Sequence, residues 1–192
     1  MLTQSTELEA VNLMLSSIGE SPINTLEDSG VVDAIMARQI LDQTNREVQN
    51  RAWHFNTEID VILMPSFPSG EIQLPVNCIR VDSVKEDARM DVIQRGLRLY
   101  NKVAHTFTFS KALKTNMVII LPFDEIPESA RQYITIRAAR IFQERIVGSL
   151  ELSQFTQGDE LRALVALKEA EAENADYNML SGSYSVANIL DR

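Results

Sequence analysis

The chain is poor in the residues on which most site chemistry depends. One cysteine, Cys78, excludes an internal disulfide framework, and its setting, Val76-Asn77-Cys78-Ile79, predicts a small buried apolar side chain. The two histidines, His54 and His105, lie far apart, and no Cys–Cys or His-x-x-x-His pair is present to hold a metal. Seven glycines never fall into a phosphate-cradling pattern. Gly182-Ser183-Tyr184-Ser185 lacks the second glycine of a nucleophile elbow. No window reaches the apolar length of a membrane span, and the N-terminus has no basic-then-apolar signal pattern. Positive charge is also in deficit. At a net −9 the chain cannot gain counterion-release affinity by wrapping DNA phosphates. The expectation is a chain with no catalytic residues, no cofactor and no metal site, made in a reducing cytoplasm.

What is present is ordinary in amount and uneven in distribution. Apolar residues make up 45% and charged residues 23%, close to the globular average. A length of 192 residues suits one domain, or a core with one inserted lobe, and can bury a real core. Residues 1–52 carry a net −5, 53–127 a net −1, 128–148 a net +2 and 149–178 a net −5. Such acidity normally serves solubility. It also suits a wall along which a polyanion slides without sticking.

The prolines organise the chain. Pro65, Pro68, Pro75, Pro122 and Pro127 crowd the middle, while 23–64 and 128–192 have none. Proline breaks helix interiors, so long helices belong outside the middle. Leu8, Val11, Leu15 and Ile18 form a stripe at helical spacing, with Thr6 and Glu9 placed for a capping box and Gly19 as a stop. A second helix is expected from after Asp28 or Ser29 to about Ala52, with Ala34, Leu41 and Val48 in its seam and a length of about 35 Å. In the middle, Phe55, Thr57, Ile59, Val61 and Leu63 alternate as a strand does. Further short strands are expected at Cys78–Val84, Leu97–Tyr100, Thr106–Phe109 and Met117–Leu121. Pro127 fits the first turn of a third helix bearing Ile134, Ala138 and Ile141 and ending at Gly148. A fourth, about Ser153–Asn178, bears Leu161, Leu164 and Leu167, and Gly158 is a place for it to split. The fold class is therefore α+β: a bundle of about four helices from the N- and C-terminal segments, with a small antiparallel β lobe inserted between helix pairs. The expected division is 1–52 with 128–178 as the helical domain, 53–127 as the lobe and 179–192 as a tail.

Four segments then carry a resemblance. They are Glu7–Glu27 (ELEAVNLMLSSIGESPINTLE), Arg51–Glu58 (RAWHFNTE), Asp124–Gly148 (DEIPESARQYITIRAARIFQERIVG) and Tyr177-Asn178-Met179-Leu180. In wording and order they resemble the tail tubular protein A family of short-tailed, podovirus-type phages. The likeness is good at both ends and poor in the middle. It implies a structural virion protein of the phage tail, an adaptor forming a twelvefold ring between the portal and the tail nozzle. On that footing the partners are the chain itself, the portal, the nozzle, tail fibres as a further contact, and DNA passing through the lumen without sequence-specific binding.

Several residues admit a second reading. Glu58 with Asp60, and Asp124 and Glu125 with Glu128, are carboxylate pairs of the kind a polysaccharide hydrolase needs. Yet acids at 124–128 suit a helix start, and Glu58 and Asp60 suit the wet face of a strand. Trp53, at the helix-to-strand junction, reads as a buried anchor. Arg131, Arg137, Arg140 and Arg145 on the third helix face a run of acids on the fourth, Glu169, Glu171, Glu173 and Asp176. In a ring, Arg137 and Arg140 would meet Glu169 and Glu171 across the subunit boundary and set head-to-tail orientation. The same arginines leave a helical nucleic-acid-binding factor as another class, although interleaved aromatics and overall basicity are missing. Beyond Ser181-Gly182-Ser183, the aliphatics Val186, Ile189 and Leu190 are expected to dock on a neighbour.

Overall fold

The computed structural model describes residues 4–27, 30–84, 90–148 and 150–174. Four α-helices and two small antiparallel sheets give the expected α+β fold. In chain order these are α1 (Glu7–Ser16), α2 (Val32–Gln49), β1 (Thr57–Leu63), β2 (Cys78–Ser83), β3 (Val92–Arg95), β4 (Arg98–Asn101), β5 (Leu113–Ile119), α3 (Glu128–Ile146) and α4 (Leu150–Asn174). Short 3₁₀ turns at His54–Asn56 and Phe123–Glu125 precede β1 and α3. The chain divides into two compact units, 1–41 with 127–192, and 42–126, so the first boundary lies inside α2.

In the first unit, local chemistry sets the helix ends. Thr6 Oγ1 accepts from Glu9 N at 3.2 Å, and Glu9 Oε2 accepts from Thr6 N at 2.8 Å, completing the expected capping box. At the other end Glu20 N donates to Leu15 O and Gly19 N to Ser16 O, with Gly19 at φ 84°. That is a Schellman stop, and its left-handed position is one that glycine takes without strain. α1 buries Ala10, Val11, Met14 and Leu15, and α3 buries Tyr133, Ile134, Ala138 and Phe142. α4 contributes Leu167, which is fully buried, whereas Leu161, expected in its seam, is 62% exposed.

Three expectations about the helices need correction. α2 starts at Val32 and stops at Gln49, so it is about 27 Å long, shorter than expected. Its seam residues Ala34, Leu41 and Val48 are buried as expected. α4 begins at Leu150, three residues early, and runs unbroken through Gly158. A helical glycine costs about 1 kcal/mol relative to alanine. The surrounding Ala, Leu and Glu residues carry that cost without a break.

In the second unit, β5 is the centre of a three-stranded sheet ordered β1-β5-β2, and β3 pairs with β4 in a separate ribbon. Its core contains Ile72, Leu74, Val81, Val92, Leu99, Phe109, Leu113, Met117 and Cys78, the last 4% exposed as its apolar setting predicts. Burial raises the Cys78 thiol pKa, partly offset by a backbone hydrogen bond with Arg80. β5 starts at Leu113, earlier than expected, and β3 was not foreseen. Thr106–Phe109 forms no strand, only isolated bridges from Thr106 to Asn101 and from Thr108 to Glu71. β1 alternates as expected at Val61, Ile62 and Leu63, but its register slips between Glu58 and Val61. Asp60 occupies that bulge at φ 61°, its N–H taken by Asn116 Oδ1.

Candidate functional site

Two of the segments that carry the resemblance, Arg51–Glu58 and Asp124–Gly148, lie at junctions held by polar side chains, and Tyr177–Leu180 lies outside the described residues. At the start of α3, Glu128 accepts hydrogen bonds from Ser5 N at 2.9 Å, Ser5 Oγ at 2.7 Å and Gln132 Nε2 at 3.1 Å. Burial alone would raise its pKa. The Ser5 and Gln132 hydrogen bonds and the nearby Arg131 charge outweigh burial, and the net shift is downward. One turn on, Arg131, 4% exposed, donates to Ser5 O at 2.7 Å and Gln4 Oε1 at 3.0 Å. The acid at this helix start therefore ties down the segment ahead of α1. Glu58 is exposed, and Asp60 pairs with Lys114 at 3.1 Å. Among the described residues, no group of three or more His, Cys, Asp or Glu side chains could hold a metal ion.

Around the RAWHFNTE segment, two neutral amides, Gln49 and Asn56, form a latch. Gln49, fully buried, donates to Leu121 O at 2.8 Å and accepts from Leu121 N at 2.9 Å. Asn56, also fully buried, donates to Gln49 O at 2.9 Å and Ile119 O at 2.8 Å, and accepts from Trp53 N at 2.9 Å. Trp53 is half-buried, and its indole N–H donates to Val48 O at 2.8 Å. These side chains satisfy backbone groups left open where α2 ends and β5 finishes. Gln49 and Asn56 carry no catalytic signature. The signal in the sequence was Gln49 following Val48 at the end of the α2 seam, with Asn56 seven residues on.

The charged face expected at a subunit boundary is partly committed within the chain. Arg137 reaches Glu160 Oε1 at 2.7 Å, and Arg140 reaches Glu160 Oε2 at 2.5 Å and Glu144 at 2.7 Å. The side chains of Arg137, Arg140 and Glu160 are 18%, 16% and 12% exposed, so this cluster is well shielded. Burial by itself would lower the Arg140 pKa, but the Glu160 and Glu144 carboxylates raise it overall. Glu169 is exposed, and Glu171 is 9% exposed. Glu160 was missed, although it lies in line with Leu164, Leu167 and Glu171 on the face that α4 turns inward. The tail residues Val186, Ile189 and Leu190 lie outside the described residues.

Beside this cluster runs a groove of about 530 Å³, formed by α1, α3 and α4. Leu13, Ile136, Ala139, Ala163 and Ala166 make it apolar, and Arg140 and Arg162 stand at its rim. Leu13, 47% exposed, stands out from an α1 whose neighbouring positions are buried. A concave apolar surface of this kind can seat an apolar group. No described helix is long and apolar enough to cross a membrane.

Two comparisons bear on this arrangement. The family described as tail tubular protein matches residues 8–177, across both units. The chain is also similar to the tail tubular protein A of Klebsiella phage KP34, with 26% identity over 164 residues covering 85% of this chain and 86% of that protein.

Proposed function

The chain belongs to the tail tubular protein family and is a structural component of a phage tail; from that premise we propose that it is the adaptor of the tail, a homo-oligomeric ring that joins the portal above to the nozzle below and leaves a channel for DNA. The observation that carries this reading is the family match, which runs through both units rather than one. The ring is twelvefold on the resemblance of its end segments. Its role is mechanical, without catalytic turnover, and tail fibres are a further contact. The chain is made in the host cytoplasm and ends in the virion.

Charge supports the channel. Residues 1–41 and 127–192 hold sixteen acidic against eight basic side chains, while 42–126 hold eleven against ten. The helical unit thus carries nearly all the net negative charge, and a wall of that sign keeps DNA moving rather than bound. The three-part organisation (helical segments 1–52 and 128–178, lobe 53–127, tail 179–192) belongs to the same proposal. So do the charge-matched boundary of Arg137 and Arg140 with Glu169 and Glu171, and the docking of Val186, Ile189 and Leu190 on a neighbour. Because Glu160 also engages both arginines, Glu169 is the cleaner residue for testing that boundary.

Electron microscopy of the full chain mixed with its portal tests the function. Rings seated on the portal, with an open centre, are the expected result. A chain that stays monomeric beside the portal, or that cleaves capsular polysaccharide, would overturn the proposal.

A further inference from the structure

One side chain is placed in a way that no fold requirement explains. Phe67 is 99% exposed, yet the turn that displays it is firmly tied. Gly70 N donates to Ser66 O at 2.7 Å, Ser66 N to Glu71 O at 2.8 Å, and Phe109 N to Gly70 O at 2.8 Å. Gly70 sits at φ 70°, and a Cβ there would come within 2.7 Å of Thr108 Cγ2. Glycine thus lets the turn lie against Thr108 and Phe109 without strain. An ordered turn with a bare phenyl ring at its tip loses solvent entropy and gains nothing within the chain. Met64 and Val76, at the two ends of the same loop, are 73% and 85% exposed. Rigid aromatics ringed by aliphatics are what interface anchors are made of.

The same chain also contains a receptor of matching chemistry. The α1–α3–α4 groove of about 530 Å³ is apolar and large enough for a phenyl ring. The loop from Met64 to Asn77 carries a single charge, Glu71, and no cation, so it brings no positive charge against Arg140 and Arg162 at the rim. Both guanidinium groups are paired, Arg140 with Glu160 and Glu144 and Arg162 with Asp159, and a paired guanidinium still presents its plane to an aromatic ring. Gln143 Oε1, buried at the groove without a hydrogen-bond partner among the described residues, is an open acceptor. Ser66, next to Phe67, carries a hydroxyl donor, while the Ser69 hydroxyl donates to Ser66 O within the turn at 3.3 Å.

We propose that Phe67 of one copy inserts into the α1–α3–α4 groove of the next copy. This rests on the ring reading above and names the contact that builds the ring. A knob and a hole at different places on one chain form a heterologous contact, and repeating it head to tail closes a ring when the rotation per step permits.

The test uses the full chain with two kinds of variant, each assembled with the portal as template. Phe67→Ser should leave the melting temperature of the lone subunit unchanged, since the ring touches nothing in the fold. It should raise the concentration needed for half-assembly by roughly 30-fold or more, as removal of an interface anchor does. Separately, Phe67→Cys and Ala163→Cys chains are mixed and oxidised. Cys78 is buried, so background cross-linking is low. Disulfide-linked dimers formed only from the mixture, and only during assembly, are the expected result. If wild type forms rings while Phe67→Ser forms them equally well and the mixed cysteines fail to link, the knob-and-hole contact is wrong and the ring reading stands. If wild type forms no ring on the portal, both fall together.

Discussion

The two units each close a chain crossing with polar side chains, and they use different chemistry to do it. In the helical unit the groups are charged: Glu128 and Arg131 hold the segment ahead of α1, and Glu160 bridges Arg137 and Arg140. In the β-rich unit they are neutral amides, Gln49 and Asn56, both fully buried. Degree of burial accounts for the choice. A charge removed completely from water loses more hydration than a partner returns, whereas an amide with every donor and acceptor matched loses little. Glu160 keeps 12% of its side chain exposed, and Glu128 is only half-buried. The acids thus sit where some water reaches them and the amides where none does; Arg131, 4% exposed, is the exception, and two protein oxygens hold it.

The comparison is sharpest at the dry junction. Asn56→Ala removes three hydrogen bonds and leaves Trp53 N, Gln49 O and Ile119 O without that partner. The expected loss is about 3 kcal/mol of unfolding free energy, read as a fall in the denaturant midpoint. A loss below about 1 kcal/mol would mean that water replaces the amide, and the junction is not dry.

The next test sets a shielded charge against an exposed one. Glu160→Ala removes a carboxylate partner from each of two arginines of low exposure and should cost about 2 kcal/mol, whereas Glu169→Ala should change the stability of the lone subunit by less than about 0.5 kcal/mol. Equal effects from the two would break the argument that shielding decides the energetics. If Glu169→Ala leaves the subunit intact and impairs assembly, it places that carboxylate at the boundary.

The smallest expected effect is one of pH. Glu128 has a folded pKa below its unfolded value of ~4.3. Its contribution to stability is therefore complete above that value and lost as pH falls through the lower folded pKa. Wild type should lose slightly more stability than Glu128→Gln between neutral pH and about pH 3. Parallel pH profiles for the two would show that the carboxylate's charge does not matter to the Ser5 latch.

Much of the helical unit was legible because its boundaries are written in residues with few backbone options. Thr6 with Glu9, Gly19, Pro127 and Gly148 each mark a helix end near where it was expected. The β-rich unit was harder. β3 has four residues, too few for alternation to stand out, and Thr106–Phe109 alternates without a partner strand to pair it regularly. The junctions were only half legible. The segments around them stood out, but their working residues are ordinary amides, or acids separated from their partners by twenty or more positions. Nothing in local pattern links Arg137 to Glu160. Only the turn between α3 and α4 brings them together.

The bulge in β1 has a bearing on life before assembly. β1 is an edge strand, and Ile59 and Ile62 on it are 66% and 64% exposed. A regular edge of that composition would invite strands from other copies to add to it without limit. Asp60, turned to φ 61° and paired with Lys114, interrupts the row of backbone donors and acceptors at its middle and puts a carboxylate there. The edge is thereby kept from templating strands of other copies, which steers the chain away from fibrous aggregation.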